Sequence, residues 1–183
     1  MNKINKKILL HVCCGVCALK TLKRLMEEFK EVIPYFYNPN IEPKEEYEKR
    51  LVFAQKAAKI NKNELFVGEY DNRNWRNIIA GYENEPEGSK RCELCFRMRL
   101  ENSAKFAKEN KGSAFVTTLT ISPHKNAKTI NKIGQELADK YQIEFLARVF
   151  KKEDGFKKTM GLAKQYNFYR QNYCGCLFSK SES

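Results

Sequence analysis

Short apolar runs alternate along this chain with longer stretches in which apolar positions return every three or four residues. Residues 7–12, ending Ile8-Leu9-Leu10-His11-Val12, predict a buried strand, and Leu19, Leu22, Leu25 and Met26 predict a helix over 16–29. Residues 31–37, Glu-Val-Ile-Pro-Tyr-Phe-Tyr, read as a second strand, stopped by the turn residues of Asn38-Pro39-Asn40-Ile41-Glu42-Pro43. A charged helix over 44–61 follows, with Tyr47, Leu51, Phe53 and Ala54 on its apolar side. A third strand is predicted at 64–67, a short helix at 72–80, and a long helix at 91–110 with Phe96, Met98, Leu100 and Phe106 in the core. A fourth strand at 114–119, a helix at 127–140, a fifth strand within 143–150 and a helix at 156–166 complete the pattern.

Strands that alternate with helices imply an α/β fold: a mainly parallel, Rossmann-like sheet of about five strands with helices on both faces. At 183 residues the chain suits a single domain, residues 1–183, with no internal repeat or linker. Hydrophobic residues are 42% and charged residues 31%, as in soluble globular proteins. The apolar stretch behind the basic start Met1-Asn2-Lys3 is too short for a signal peptide, and no membrane segment is evident, so a cytoplasmic protein is expected.

The cysteines sharpen this picture. All seven fall into three groups: Cys13, Cys14 and Cys17 directly after the first strand; Cys92 and Cys95 as C-x-x-C; and Cys174 and Cys176 as C-x-C. Free cysteine packs like a small hydrophobe, but three clusters that use every cysteine, in a reducing compartment, point to a metal or redox site. Gly15 is expected to supply the turn that lets Cys13, Cys14 and Cys17 face one volume. Seven thiols exceed the four that one structural zinc accepts; four suit an iron–sulfur cluster, and the surplus suggests a second metal or a redox-active thiol pair. The start of the 91–110 helix favours thiolate at Cys92.

Other chemistry is expected at the same sheet edge. Asp71 lies just past the third strand, where open α/β sheets place ligands, or else caps the next helix. Ser122, His124 and Lys125 at a helix start form an anion cradle. Arg97 and Arg99 neutralise the cluster, meet phosphate, or are simply solvated. Thirty-four lysines and arginines against twenty-two acids, a net charge of +12, favour a nucleic-acid partner or a plain lysine-rich surface. Aromatics, arginine and amides around Tyr169, Arg170 and Tyr173 suit the holding of a splayed-out base, or a packed tail (about 167–179) folded back over the metal site.

Taken together, His11-Val12-Cys13-Cys14-Gly15-Val16-Cys17, Tyr37-Asn38-Pro39-Asn40-Ile41, Arg91-Cys92-Glu93-Leu94-Cys95-Phe96 with Arg99-Leu100, residues 117–126 and residues 169–179 resemble the cobalamin-independent epoxyqueuosine reductases of the QueH type. Gly15-Val16 departs from the alanine-proline or glycine-proline expected there. The resemblance implies a fold like the adenine nucleotide alpha hydrolase-like group, and reductive removal of the epoxide oxygen of epoxyqueuosine at the tRNA wobble position, the last step of queuosine synthesis. It implies a [4Fe-4S] cluster beside either a mononuclear iron or a redox-active cysteine pair, tRNA as partner, and an electron donor of unspecified identity. On this reading Cys13, Cys14, Cys92 and Cys95 hold the cluster, and Cys17, Cys174 and Cys176 form the second centre. Asp71 joins Cys174 and Cys176 in catalysis, while Tyr37, Asn38, Asn40, Ser122, His124, Lys125, Tyr169, Arg170 and Tyr173 contact substrate. The rivals are an iron–sulfur tRNA thiolase of similar fold, which would need a glycine-serine-rich pyrophosphate loop where Cys13-Cys14-Gly15 stand, and a zinc-bound nucleic-acid-binding module.

Overall fold

The structure is a computed structural model and describes residues 3–180. Five parallel strands, β1 (Ile4–His11), β2 (Phe29–Phe36), β3 (Phe66–Val67), β4 (Ala114–Thr117) and β5 (Glu144–Phe145), form one sheet in the order β3-β2-β1-β4-β5. The helices are α1 (Gly15–Glu28), α2 (Lys44–Ile60), α3 (Asn72–Ile78), α4 (Lys90–Glu109), α5 (Ala127–Tyr141), α6 (Gly155–Gln165) and the short α7 (Leu177–Lys180). The last was not foreseen.

Alternation along β1 sorts the core into two layers. Ile8 and Leu10 pack with α1, α2 and α6, whereas Leu9, with Tyr35 and Phe115 from β2 and β4, faces α3, α4 and α5. With both faces covered, β1 reads as a continuous apolar run rather than an alternating one. Pro34 sits opposite Leu10 in β2; β3 pairs only with Tyr35 and Phe36, so the outer edge of β2 at Pro34 needs no donor.

Two strands end earlier than their composition suggests. β4 stops at Thr117, whose hydroxyl accepts from the Leu119 amide (3.1 Å), and residues 118–121 wind into a 3-10 turn. The apolar run after β5 leaves the sheet because the amides of Phe150 and Lys151 turn to the hydroxyl and carbonyl of Thr120. On α2 the buried stripe is Tyr47, Arg50, Ala54, Ala57 and Ala58, with Leu51 and Phe53 only partly covered. A buried arginine, not among the residues predicted for the apolar side, stands within this stripe.

Gly15 has a different reason from the one expected. It is the first residue of α1, and its backbone does not adopt the left-handed region. A Cβ there would lie 2.3 Å from the Phe53 carbonyl oxygen of α2, so glycine is needed for the approach of two helix backbones, while Cys14 itself caps α1. Gly15→Ala should therefore lower stability by about 2 kcal/mol despite alanine's better helix propensity, because backbone and not a flexible side chain must move. The urea-unfolding midpoint checks this; an unchanged midpoint would show that the helices part without cost.

Candidate functional site

β1 delivers its chemistry at its carboxyl end. The Sγ atoms of Cys13, Cys14 and Cys17 all lie within 4.8 Å of one another. The helical turn from Cys14 brings Cys17 back beneath it, and the Cys17 amide approaches Cys14 Sγ at 3.5 Å. Thr118, in the turn after β4, holds the half-buried Cys13: its hydroxyl accepts from the Cys13 amide (2.9 Å) and donates to Cys13 Sγ (3.1 Å). Hydrogen bonds from the Cys14 and Cys17 thiols, the Arg99 charge and the Thr118 hydroxyl together hold Cys13 well below the usual thiol range, although burial opposes this. Its neighbours move the other way: the contact with Cys13 pushes Cys14 up to about 12 and raises Cys17 as well. The trio thus favours one thiolate, on Cys13.

His11, two residues before Cys13 at the end of β1, is no ligand. Burial, then Arg99, lowers its pKa to about 3, so it is neutral. Its Nε2 lies 3.2 Å from the Tyr37 carbonyl, which can only accept, so Nε2 carries the proton and Nδ1 accepts from Thr117 Oγ1 at 2.9 Å.

The second cysteine group starts α4, where the Gly88 amide donates to Cys92 Sγ at 3.2 Å. Cys92, Cys95 and Cys176 share one buried cluster against which Cys13 packs. Burial raises Cys92 and Cys176 and pushes Cys95 up to about 12, and the charges of neighbouring thiols add to this. No disulfide links any of the seven.

The tail is fixed by Arg50. Its guanidinium donates to the carbonyls of Cys174 (2.9 Å) and Tyr173 (3.3 Å), pairs with Glu46 (2.7 Å) and lies over the Tyr173 ring. Gly175, with φ of 141°, accepts from the Glu42 amide at 2.8 Å. The Tyr173 hydroxyl donates to the Glu42 carbonyl at 2.6 Å. The C-x-C turn is therefore tied to the loop after β2 by backbone as well as by side chains.

Between these elements lies a cavity of about 500 Å³. Cys13, Cys17 and Cys174 reach its wall, as do Asn40, Ser122, His124, Lys125, Arg170 and Tyr173 among the predicted substrate contacts. Burial works against the charge of Lys125, but the thiols of Cys174 and Cys13 outweigh it and hold the ammonium protonated beyond the ordinary lysine range. Asn40 is 1% exposed and its Oδ1 has no partner; Arg99, also on the wall and 2% exposed, has an unpartnered Nε.

Other predicted residues stand elsewhere. Asp71 is not on the cavity wall; its carboxylate caps α3, accepting from the Asn74 amide at 2.9 Å. Asn38 is buried behind the wall, donating to the Val12 carbonyl (2.9 Å) and accepting from Arg99. Tyr37 stacks at 6.3 Å on Tyr35 in the core, and Tyr169 donates to Glu46 on α2 at 2.8 Å. Cys17 groups with Cys13 and Cys14 rather than with the tail thiols. Arg97 pairs with Glu136 at the surface, whereas Arg99 is buried. Arg50 and Thr118 were missed. The signal for Arg50 was legible: it stands three residues after Tyr47 and four before Ala54, on the apolar stripe.

A parallel α/β sheet whose carboxyl edge carries a thiol-rich cavity defines a Rossmann-like protein with the donor set of a metal or iron–sulfur centre. The epoxyqueuosine reductase QueH family model matches residues 8–182, and the chain belongs to that family of oxidoreductases acting in tRNA modification. Epoxyqueuosine reductase QueH of Thermotoga maritima is 39% identical over 179 residues, covering 96% of this chain and 91% of that protein. The Streptococcus pyogenes serotype M1 protein of the same name is 37% identical over 184 residues, covering 97% and 72%. Among solved structures, the U34-tRNA thiolase NcsA from Methanococcus maripaludis, with its [4Fe-4S] cluster, aligns at a TM-score of 0.54 and 14% identity, over 98% of this chain and 63% of that one. That likeness is one of fold. Among the described residues no helix is long and apolar enough to cross a membrane.

Arg50 makes a separable prediction. Arg50→Met should cost about 3 kcal/mol, because Glu46 and two carbonyls lose their buried donor. Hydrogen exchange should rise first at residues 170–176. Exchange rising equally across the sheet would mean that the arginine supports the whole fold and not the tail.

Proposed function

We propose that this protein reduces the epoxide of epoxyqueuosine at the wobble position of tRNA to give queuosine, in the cytoplasm. The observation that carries the reading is the meeting of the thiol groups, in a chain of this family: Cys13, Cys14 and Cys17 lie together, Cys13 packs against the cluster that holds Cys92, Cys95 and Cys176, and Cys13, Cys17 and Cys174 reach one cavity. The donor set fits the cofactor: every candidate ligand is a sulfur, three sulfurs already lie within 4.8 Å, and the buried Arg99 guanidinium offsets negative charge. These seven cysteines would hold a [4Fe-4S] cluster and a second centre, either a mononuclear iron or a Cys174–Cys176 redox pair.

In the balanced reaction both C–O bonds of the epoxide break, two electrons and two protons enter, and an alkene and water leave. A cluster held there would supply electrons, drawn from an external donor. The chain's own residues bind and orient the substrate, and the two protons come from solvent. Lys125, a cation on the cavity wall, is placed to hydrogen-bond the departing oxygen and offset its developing negative charge. Asn40 offers an unpartnered acceptor that orients a donor of the modified base, and Tyr173 and Arg170 offer planar faces for stacking. The Arg50 ties hold Cys174 at the wall.

Anaerobically reconstituted protein with a chemical reductant should convert epoxyqueuosine in tRNA to queuosine, read by nuclease digestion and mass spectrometry. Cys13→Ser or Cys92→Ser should lower the rate by at least about 100-fold. Iron should number about four per chain, with labile sulfide. A fifth iron, lost in Cys174→Ser/Cys176→Ser, would mark a mononuclear site at the tail, and an unchanged count would favour the redox pair. A colourless zinc protein without turnover would overturn the reading.

A further inference from the structure

A second hollow, of about 70 Å³, adjoins the cavity, and Ile121 lies on the wall of both. The same two helices build the two spaces. α1 sends Val16 and Cys17 to the cavity and, one and two turns further on, Lys20 and Arg24 to the hollow. At 1.5 Å per residue, Lys20 starts only about 4.5 Å beyond Cys17 along the axis. α6 likewise sends Phe156 and Met160 to the cavity and Lys158 to the hollow, with Gly155, its first residue, on the hollow's wall.

The charge here is unbalanced. Lys20, Arg24, Lys152 and Lys158 line the hollow against one acid, Glu153. Arg24 leans on Glu28, which is already held by Arg148 at 2.6 Å. No ion pair engages Lys20, Lys152 or Lys158 among the described residues; Lys158 reaches only the Glu153 carbonyl, at 3.1 Å. Burial, then Lys158 and Arg24, holds the Lys20 ammonium below the ordinary lysine range, with Asp154 and Glu153 opposing. Cations crowded at the start of an 11-residue helix, around a space of this size, await an anion.

We propose that this hollow binds a backbone phosphate of the RNA substrate, next to the nucleotide whose base occupies the cavity. The proposal rests on the reductase reading for the identity of the polyanion, and on the shared wall at Ile121 for its position. It assigns α1 two tasks on one face, thiol at its first turn and phosphodiester at its second.

The test is fluorescence anisotropy of a labelled anticodon stem-loop RNA against salt, with wild type, Lys20→Gln/Lys158→Gln, and the control Lys59→Gln/Lys105→Gln. The control removes the same charge near the C-terminal ends of α2 and α4. The hollow variant should bind roughly ten-fold more weakly at low salt, with the slope of log affinity against log salt shallower by about one, while the control stays near wild type. On tRNA turnover it should raise KM and leave kcat unchanged. Equal affinity and slope in the hollow variant, or equal losses in the control, would overturn the phosphate site. Inorganic phosphate that raises the wild-type melting temperature while RNA affinity is unaltered in the variant would overturn it too, marking a free-anion site. Wild type that binds the RNA but has no reductase activity would count against the proposed function instead, since anisotropy needs no turnover.

Discussion

Charge taken out of water at the end of β1 has to be compensated, and much of the site's architecture follows from that. Cys13 favours thiolate, and the groups that make this tolerable come from three separate elements: Cys14 and Cys17 from the start of α1, Thr118 from the turn after β4, and Arg99 from α4. Arg99 is in turn fixed by Asn38 in the loop after β2, and Asn38 by the Val12 carbonyl. A buried guanidinium with so few acceptors is costly unless anionic sulfur stands near, so the arginine and the thiols justify each other's burial.

A second buried guanidinium organises the other wall. Arg50 turns a strap of irregular chain into a defined surface, because it satisfies carbonyls that no strand or helix would reach. The tail then sits over the loop after β2 rather than in solvent, where a Cβ on Gly175 would lie 3.1 Å from Ile41 and 3.2 Å from Arg50 and Asn40. The site is thus built from loops, each held by a basic side chain: the tail by Arg50 of α2, the loop after β2 by Arg99 of α4, and residues 122–125 by Lys151, whose ammonium donates to the Ser122 and Lys125 carbonyls.

The helices carry more than packing. α1 approaches α2 so closely that only glycine fits at position 15, and the helical period puts Cys17, Lys20 and Arg24 along one face of α1. α4 places Cys92 in its first turn, Cys95 a turn later and Arg99 one turn beyond that, which is how one helix provides both the thiols and their counter-charge.

The sequence by itself determined the layered α/β class, the order of strands and helices to within a few residues, and the cysteine groups, since these depend on local periodicity and spacing. It also marked Asn40, Ser122, His124, Lys125, Arg170 and Tyr173, which all reach the cavity wall. Only the tertiary structure decided that Asp71 is a helix cap, that Tyr37 and Asn38 are interior supports, and that Arg50 and Arg99 are buried while Arg97 is not. Whether a polar side chain is solvated, capping or site-lining depends on which distant backbone groups lie within about 3 Å of it, and periodicity along the chain holds no record of that. The early end of β4 and the departure of the chain after β5 have the same cause: Thr117 and Thr120 offered acceptors that local strand propensity does not count.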